Sequence, residues 1–400
     1  MQTIQKRMLI PNYVEKFACI GASCEDTCCA LWEITIDQDT YSKYQNLTNT
    51  PLKEQIDQNL IKKKNKTASF TMNGETGNCS MLCDGLCSIQ ATLGENYLSK
   101  TCSTYPRVLN ESKERIEATA VLSCPEVTRL VLFSKDSMNL SSSNDMKTPN
   151  LRVHGQDTSK VSKIAYTIRN SVIDILNTKE FSLEHRLIII GVMLDNLNQL
   201  MKTKKYDQIN VFLKEFKDDV RNNSELRDYN AFPEDDKLKF QFLNNNLMDH
   251  YKEFIWNKRY NECISDYIKG IQIDGSTLNR SLRSYRVAQK EIYQEYINEN
   301  RHVFENYIMN YVYQNFIVDI LNGESLFNFY IKMIIDYSLI KLHLVGMASA
   351  AGEMNNDMVA KLVQSYTKNY KFSSKFLDAM LNDVLEQGFG SLGGMSLMIK

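Results

Sequence analysis

Cysteine is concentrated in the first third of this 400-residue chain, in a pattern that suits metal ligation. Nine of the ten cysteines precede residue 125, and the tenth is Cys263. Thiolates are soft anionic ligands, and four of them close a tetrahedral zinc site or hold an iron–sulfur cluster. The spacing therefore predicts a metal-binding module. The nine form a C-x4-C-x3-C-C group, a C-x3-C-x3-C group and two single residues, namely Cys19, Cys24, Cys28, Cys29, Cys79, Cys83, Cys87, Cys102 and Cys124.

Three other roles for these cysteines fit the sequence less well. Disulfides require an oxidising compartment, and the N-terminal sequence MQTIQKRMLIPNYVEKF shows neither the apolar stretch nor the cleavage site of a signal peptide. Buried structural thiols usually occur singly, whereas Cys28 and Cys29 are adjacent and follow Cys24 closely. A catalytic thiol needs one cysteine and a base, which leaves the others unexplained. We therefore expect metal ligation in a cytoplasmic protein.

The spacing leaves the choice between zinc and iron open. The paired C-x2-C units typical of zinc ribbons do not occur, and the irregular spacing suits ligands from several loops. The group from Cys79 to Cys87 differs by one residue from the C-x3-C-x2-C triplet with which radical enzymes bind the cluster that cleaves S-adenosylmethionine. Such triplets normally introduce an α/β barrel, whereas the following sequence predicts helices. An iron–sulfur cluster thus suits the pattern at least as well as zinc.

Charge and hydropathy argue against nucleic acid and membrane as partners. The chain has 47 basic and 48 acidic residues, and both halves are balanced, so no segment predicts an electrostatic surface for nucleic acid. The most apolar segment, residues 325–345, is interrupted by Lys332, Asp336 and Lys341 and has no run of 18 uncharged residues. A membrane span is therefore not expected.

Composition divides the chain into three parts. Residues 134–160 are rich in Ser, Asn and Asp and predict a linker or an exposed loop. Before them, residues 1–133 form the cysteine-rich metal-binding module, in which alternation predicts strands at 32–36, 68–72 and 116–122 and helices at 39–46 and 89–99. After them, residues 161–400 predict a helical domain.

Amphipathic patterns continue through the third part. Ile164, Ile168 and Val172 lie on one helical face, and Ser182 is a plausible N-cap for a helix over 183–201. Further helices are predicted at 206–216, 285–304 and 307–321. The expected fold class is mainly α, with a small mixed α+β cysteine-rich metal-binding module followed by a larger helical bundle domain.

The C-terminal sequence GFGSLGG contains a formal G-x-G-x-x-G pattern. That pattern binds a phosphate only where it follows a strand and opens a helix of a βαβ unit. Here it follows a helical pattern at 376–386, and six residues remain after Gly394. We predict that it stops a helix and begins a mobile tail.

An ordered set of short motifs between Pro11 and Glu126 resembles the bacterial flagellin lysine-N-methylase family. The cysteine pattern is also similar to that of small bacterial proteins described as zinc- or iron-chelating. The matching pieces occur in the expected order: Pro11, Tyr13, Phe17, Cys19-Ile20-Gly21, Cys24-Glu25-Asp26-Thr27-Cys28-Cys29, Trp32, Ile34, Ile36-Asp37, Thr40-Tyr41, Tyr44, Cys79, Leu82, Gly85-Leu86-Cys87, Ile89-Gln90, Leu93-Gly94, Tyr97-Leu98, Cys102, Tyr105-Pro106-Arg107 and Leu122-Ser123-Cys124-Pro125-Glu126.

The resemblance implies a protein-lysine N-methyltransferase. Its substrate would be surface lysines of flagellin, its methyl donor S-adenosylmethionine and its cofactor an iron–sulfur cluster of the 4Fe–4S type, with zinc as the alternative. Cys83 falls outside the family pattern, and we interpret it as a bystander or a substitute ligand and Cys263 as a buried thiol. The positions that match the pattern imply eight metal ligands: Cys19, Cys24, Cys28, Cys29, Cys79, Cys87, Cys102 and Cys124.

Polar residues beside these positions are expected to hold the ligands in place by hydrogen bonds. They are Glu25, Asp26, Tyr105 and Glu126, whose alternative role is to act on the substrate lysine, while Arg107 would compensate the charge of the cluster. A different class of function is a non-enzymatic zinc- or iron-binding module attached to a helical domain that binds partners. Binding of S-adenosylmethionine discriminates the two, because only the enzyme requires a methyl donor.

Overall fold

The computed structural model describes residues 7–48, 50–63, 67–111, 115–143, 160–222, 224–254, 257–272, 278–370 and 374–400. These residues form two compact units. The first unit comprises the chain up to Leu130 and the segment that resumes at Asn139. The second comprises Val131–Met138 and the helices from Lys160 onward. The protein is mainly α, as the sequence predicts.

The first unit combines short strands with short helices. Its strands are β1 Arg7–Pro11, β2 Thr35–Ile36, β3 Leu60–Lys62, β4 Ala68–Phe70, β5 Leu82–Cys83, β6 Leu86–Cys87, β7 Arg107–Glu111, β8 Arg115–Ala120 and β9 Leu140–Ser143. Its helices are α1 Asn12–Lys16, α2 Gln38–Gln45, α3 Pro51–Asn59, α4 Ser88–Leu93 and α5 Lys100–Thr104, and α6 Pro125–Phe133 begins in it. Each strand and helix predicted in this region has a counterpart.

The strands form three small sheets. The largest has the order β7-β8-β1-β9, in which β1 is parallel to β8 and antiparallel to β9. The others are β2-β4-β3 and the β5-β6 hairpin. One core lies between the second sheet and the helices α2 and α3, where Ile36, Tyr44, Ile56 and Phe70 are buried. This core forms one side of the cysteine-rich region, because several cysteines pack against it.

The predicted linker at 134–160 is wrong for residues 140–143. These residues form β9, and their backbone pairs with β1 from Met8 to Pro11. The hydroxyl of Ser141 also donates to the carbonyl of Ile10 at 3.2 Å. A Ser-rich composition is typical of loops, but it also suits a polar strand at the edge of a sheet. Residues 144–159 lie outside the described part of the chain.

The second unit consists of helices joined by turns and loops over its described residues. Its helices are α7 Lys160–Leu176, α8 Leu183–Lys202, α9 Ile209–Asn222, α10 Ser224–Arg227, α11 Asp236–Phe254, α12 Lys258–Ile271, α13 Leu278–Ala288, α14 Gln294–Glu299, α15 His302–Leu321, α16 Leu326–Ala351, α17 Asn356–Tyr370, α18 Ser374–Glu386 and α19 Leu392–Ile399. The hydroxyl of Ser182 accepts from the backbone of His185, which confirms the predicted N-cap of α8.

Helix α16 is the centre of this unit. It packs against α8, α12, α13, α15, α17, α18 and α19, so almost all of its faces are covered. By length and composition it is long and apolar enough to cross a membrane, but 89% of its most apolar window is buried inside the unit. An all-round apolar helix of this kind is what the core of a large helical unit requires.

Two sequence predictions for this unit are wrong. The helix predicted over 285–304 is divided, because α13 passes into a π-helical turn at Gln289–Tyr293, α14 ends at Glu299 and α15 begins at His302. The predicted mobile tail is instead helix α19, which is capped by Ser391 and buries Met395 and Met398. Burial of these apolar side chains favours docking of the last residues on the unit.

Candidate metal centre

Seven of the eight predicted ligands line one cavity of about 300 Å³ in the first unit. Their sequence positions span more than one hundred residues, so only the fold brings them together. The eighth, Cys79, does not line this cavity and is buried next to it in the apolar core. The cysteines that line the cavity are Cys19, Cys24, Cys28, Cys29, Cys87, Cys102 and Cys124.

Backbone contacts hold the Cys-Cys pair in position. The amide of Cys79 donates to the carbonyl of Cys29 at 2.7 Å, which joins the loops that carry the first and second cysteine groups. The indole of Trp32 donates to the carbonyl of Cys28 at 2.7 Å. The sulfurs of Cys28 and Cys29 lie 3.9 Å apart. Two thiols at this separation are close enough to share one centre or to face two neighbouring centres.

The thiols fall into two subsets. Cys29, Cys87 and Cys102 pack with Cys79 against the core formed around Ile36 and Phe70. Cys19, Cys24 and Cys124 do not belong to that core, and Cys24 interacts electrostatically with the other two. Cys28 interacts with members of both subsets. The Cys-Cys pair therefore joins the two subsets, with Cys29 on the core and Cys28 near both.

The β5-β6 hairpin separates Cys83 from Cys87. Asp84 and Gly85 both have positive φ, which matches the two-residue turn that favours Asp-Gly. In this register Cys87 is opposite Leu82 and Cys83 is opposite Leu86. Cys87 lines the cavity, whereas Cys83 is exposed and does not line it. The interpretation of Cys83 as a bystander or a substitute ligand stays a prediction.

Two of the thiols lie at the starts of helices. Cys87 is the N-cap of α4, and burial raises the pKa of its thiol while the backbone N–H groups of Gln90 and Ile89 offset part of that rise. Cys124 immediately precedes α6, and the N–H groups of Glu126 and Val127 act on it in the same way. Donors of this kind favour the thiolate form that a metal requires.

Burial opposes ionisation of the same thiols. It raises the pKa of Cys79 to about 11 and the pKa values of Cys102 and Cys124 to about 12, and the negative charge of neighbouring cysteines raises them further. The cavity therefore disfavours several thiolates at once unless a cation compensates them. A bound metal reverses this balance, because a coordinating thiol is deprotonated by the ion.

The thiol donors fit a thiolate-bound metal, although their sulfur atoms do not surround a common position at coordination distance. Within the described ranges, no group of three or more His, Cys, Asp or Glu side chains is arranged to hold an ion. Coordination by four thiolates requires metal–sulfur distances of about 2.3 Å for zinc. Binding of a metal would therefore move the cysteine loops inward.

The polar residues that neighbour the cysteines divide into two sets. Asp26, Tyr105 and Arg107 line the cavity. The carbonyl of Asp26 accepts from the thiol of Cys24 at 3.0 Å, and the guanidinium of Arg107 lies 4.9 Å from the ring centre of Phe17. Arg107 is thus placed to offset negative charge in the cavity.

The predicted acidic neighbours are engaged elsewhere. Glu25 and Glu126 do not line the cavity and both pair with Arg129, at 2.6 Å and 2.9 Å. This ion pair ties the first cysteine loop to α6, which carries Cys124 at its start. Arg129 was not identified from the sequence, although its position three residues after Glu126 is a helical ion-pair spacing that could have indicated it.

Ser123 belongs to the family motif, but no role was predicted for it from the sequence. Its hydroxyl lies 3.2 Å from the hydroxyl of Tyr105, which lines the cavity. Burial raises the pKa of Tyr105 well above its usual value. The tyrosine is therefore a neutral hydrogen-bonding group that helps to hold the loop of Cys102 against the loop of Cys124.

Comparison with known proteins identifies the family. The family model for the FliB lysine N-methylase C-terminal domain matches residues 169–398. The lysine-N-methylase of Salmonella typhimurium is 38% identical over 135 residues, which cover 33% of this chain and 34% of that protein. The flagellar biosynthetic protein FliU of Salmonella muenchen is 37% identical over 134 residues, which cover 32% of this chain and 79% of that protein.

The match spans about a third of the length of the Salmonella typhimurium methylase. No solved structure matches this chain. The family model extends over more than half of the chain and includes most of the helical unit. The chain therefore belongs to the FliB lysine N-methylase family.

Proposed function

We propose that this protein transfers methyl groups from S-adenosylmethionine to lysine side chains of flagellin, in the cytoplasm and with an iron–sulfur cluster held by the cysteine-rich unit. The observation that carries the cofactor part of the proposal is the convergence of seven thiols on one cavity. Family membership supports the methyl transfer, since relatives carry the name lysine-N-methylase. The flagellar link rests on the name of the FliU relative.

The reaction is a nucleophilic substitution. The ε-amine of lysine gives up its proton to a base and attacks the methyl carbon of the sulfonium. A carbon–nitrogen bond forms as the carbon–sulfur bond breaks, and S-adenosylhomocysteine leaves with the electron pair. The protein must hold the amine, the methyl carbon and the sulfur in line, which is the main source of acceleration in such a transfer.

The residues of the first unit contribute by holding the cofactor. The eight thiols at family positions supply more than the four ligands that one 4Fe–4S cluster needs. Cys29, Cys79, Cys87 and Cys102 form the better candidate set, because they pack on one apolar core that limits access of water. When bound, the cluster supplies redox-active iron and stabilises the small unit that carries it.

The lysine must also be presented as a free amine. Glu25 and Glu126 are poorly placed to accept its proton, because both are engaged by Arg129 and neither lines the cavity. Flagellin selectivity is expected to arise from docking on the helical unit, since the balanced charge of the chain offers no general attraction for lysine-rich proteins.

Co-expression with flagellin tests the proposal. Mass spectrometry of flagellin should show increments of one methyl group on lysine residues when the two proteins are produced together. The increments should disappear when Cys28 and Cys29 are both replaced by Ser. The matched control is Cys83→Ser, which changes an exposed cysteine outside the cavity and should leave methylation unchanged.

Unmodified flagellin in the presence of the cluster-loaded protein and S-adenosylmethionine would contradict the methyltransferase. A non-enzymatic metal-binding module would then be the better description. Stoichiometric zinc without iron or sulfide in anaerobically purified protein would contradict the cluster and leave the methyl transfer open to the same mass measurement.

A further inference from the structure

The helical unit contains a polar cavity of about 710 Å³ whose described lining includes no cysteine. Its walls come from the starts of α8 and α15, from α14 with the π-helical turn before it, and from α16. Sites for small molecules usually measure about 300–1,000 Å³. The cavity is therefore large enough for a ligand of nucleoside size, and most of its lining belongs to the region that matches the family model.

The π-helical turn presents two polar groups to this cavity. Gln289 and Tyr293 are the first and last residues of the turn, and both line the cavity. Tyr293 is only 2% exposed, and its hydroxyl makes no hydrogen bond of ordinary length to a described residue, although it lies near the hydroxyl of Tyr337. The amide oxygen of Gln289 has no hydrogen-bond partner among the described residues. Buried polar groups nearly always have partners, and π-helical turns often occur at functional sites. A bound ligand would supply the missing partners.

A charged pair lies next to Tyr293. The ammonium of Lys341, which is 7% exposed, is 3.9 Å from the carboxylate of Glu184 and 5.6 Å from the ring centre of Tyr293. The hydroxyl of Tyr337 donates to Glu184 at 3.1 Å. The cavity thus combines a positive group, a negative group and an aromatic face that tolerates a neighbouring cation.

Two long helices begin at the cavity. α8 and α15 each contain 20 residues, and their first turns line it. The N-terminus of a helix attracts negative charge, because its first N–H groups are unpaired and its dipole is positive there. Glu305, in the first turn of α15, is already engaged by Arg186 and by Lys179. This region of the cavity therefore suits the carboxylate of a ligand.

We infer that this cavity in the helical unit binds S-adenosylmethionine. The inference rests on the proposed methyl transfer. The methyl donor carries a carboxylate, two cationic groups and a polar nucleoside, and the lining offers charges of both signs, tyrosine rings and unpartnered polar groups. Lys341 and the helix starts would receive the carboxylate, and Glu184 and the ring of Tyr293 would receive a cationic group. The Tyr293 hydroxyl and the Gln289 amide would pair with polar groups of the nucleoside.

Binding of S-adenosylhomocysteine, the product that cannot react further, tests this inference by calorimetry on the full chain. Tyr293→Phe removes one hydroxyl and should weaken binding about tenfold. Lys341→Met should weaken it at least as much, because it also removes a charge. The matched control is Tyr330→Phe, since Tyr330 is a buried tyrosine whose hydroxyl also lacks a hydrogen-bond partner in the described residues but lies outside the cavity lining. The control should bind as the unsubstituted protein does.

Photochemical labelling supplies a second measurement, which uses the unsubstituted protein and therefore does not require that any variant folds. Ultraviolet crosslinking with labelled S-adenosylmethionine should attach the label to peptides that line the cavity in the helical unit. Label confined to peptides of the cysteine-rich unit, or equal affinity of Tyr293→Phe, Lys341→Met and the unsubstituted protein, would overturn the inference and leave methyl transfer intact. Absence of binding to the cluster-loaded protein, together with unmodified flagellin, would overturn the proposed function itself.

Discussion

The cysteines show how a single position decides whether a thiol reaches the candidate centre. Cys83 and Cys87 belong to the same sequence group, but Cys87 lines the cavity whereas Cys83 is exposed and does not line it. Cys79 has a different environment, because it is buried in the apolar core beside the cavity. Sequence spacing alone would predict the same role for all three cysteines. The fold gives each a different exposure and different neighbours.

Replacement of Cys79 and of Cys124 tests whether the two subsets of thiols hold different centres. If the subset packed on the core holds the cluster, Cys79→Ser should abolish the visible absorption of anaerobically purified protein. Cys124→Ser should then retain most of the colour and lose any second metal. Absorption spectra with iron, sulfide and zinc analysis measure both effects.

The control for these two variants is Cys83→Ser, which should keep the full spectrum because its thiol is exposed and falls outside the family pattern. Equal loss of colour in the Cys79 and Cys124 variants would mean that both subsets serve one centre. Loss of colour in the Cys83 variant would contradict the exclusion of Cys83 from the ligand set.

Helices α12 and α16 cross at two glycines, where their backbones lie close together. A Cβ atom on Gly270 would lie 1.8 Å from the carbonyl oxygen of Gly346, and a Cβ on Gly346 would meet the ring of Tyr267 at 2.3 Å. Contacts this short cannot be relieved by a rotamer change where the partner is backbone. The close crossing buries the ring of Tyr267 and thereby fixes one wall of the helical core.

Gly270→Ala should destabilise the helical unit by about 1–3 kcal/mol or more, because the helices must separate to admit the methyl group. Helix propensity alone would favour Ala over Gly by about 1 kcal/mol, so the sign of the change distinguishes packing from propensity. Denaturant unfolding followed by circular dichroism measures it. Ser265→Ala on the exposed face of α12 is the matched control and should change stability by less than about 0.5 kcal/mol. A stabilised Gly270 variant would contradict the close crossing.

A buried histidine should make the same unit sensitive to acid. His343 is fully buried, its Nδ1 lies against the carbonyl of Leu339, and its Nε2 is 2.9 Å from the hydroxyl of Tyr260. This arrangement suits a neutral ring that donates from Nδ1 and accepts at Nε2. Burial lowers the pKa of His343 from 6.5 to about 4. The unfolded chain therefore binds a proton at higher pH than the folded protein does.

The contribution of His343 to stability should be complete above pH 6.5 and should decline as the pH falls toward 4. The loss should reach about 3 kcal/mol, because each unit of pKa difference corresponds to about 1.4 kcal/mol. Thermal unfolding between pH 7 and pH 4 should show this decline in the unsubstituted protein and a shallower one in His343→Gln. An identical pH dependence of the two proteins would show that other groups cause it.

At the scale of the molecule, the two units differ in what stabilises them. The helical unit has a large continuous core around α16, whereas the first unit consists of short strands and helices around a small core. Small domains frequently need a metal to compensate for limited burial of apolar surface. The cavity lined by thiols is placed where such a metal would join the loops of the first unit.

Removal of the metal should therefore loosen the first unit and leave the second largely folded. Limited proteolysis of chelator-treated protein should cut first between residues 11 and 126, while the helices after residue 160 keep most of their circular dichroism signal. The metal-loaded protein provides the control and should resist cleavage in the same region. First cuts within the helical unit would contradict this division of stability.

The sequence by itself determined the local features of this protein. The apolar stripe of α7, the N-cap at Ser182 and the confinement of cysteine to one segment depend on neighbours along the chain, so they can be predicted without the fold. The ordered motifs from Pro11 to Glu126 likewise indicated the family that the comparison identified.

Only the tertiary structure decided the features that depend on distant residues. Strand β9 exists because β1 offers it an edge, and α19 docks because the core accepts Met395 and Met398. The two subsets of thiols are defined by an apolar core that spacing does not describe. The polar cavity of the helical unit is the clearest case, because Glu184, Tyr293 and Lys341 lie on three different helical segments. Hydrophobic periodicity records which face of a helix is buried, but it carries no information about which distant side chain that face will meet.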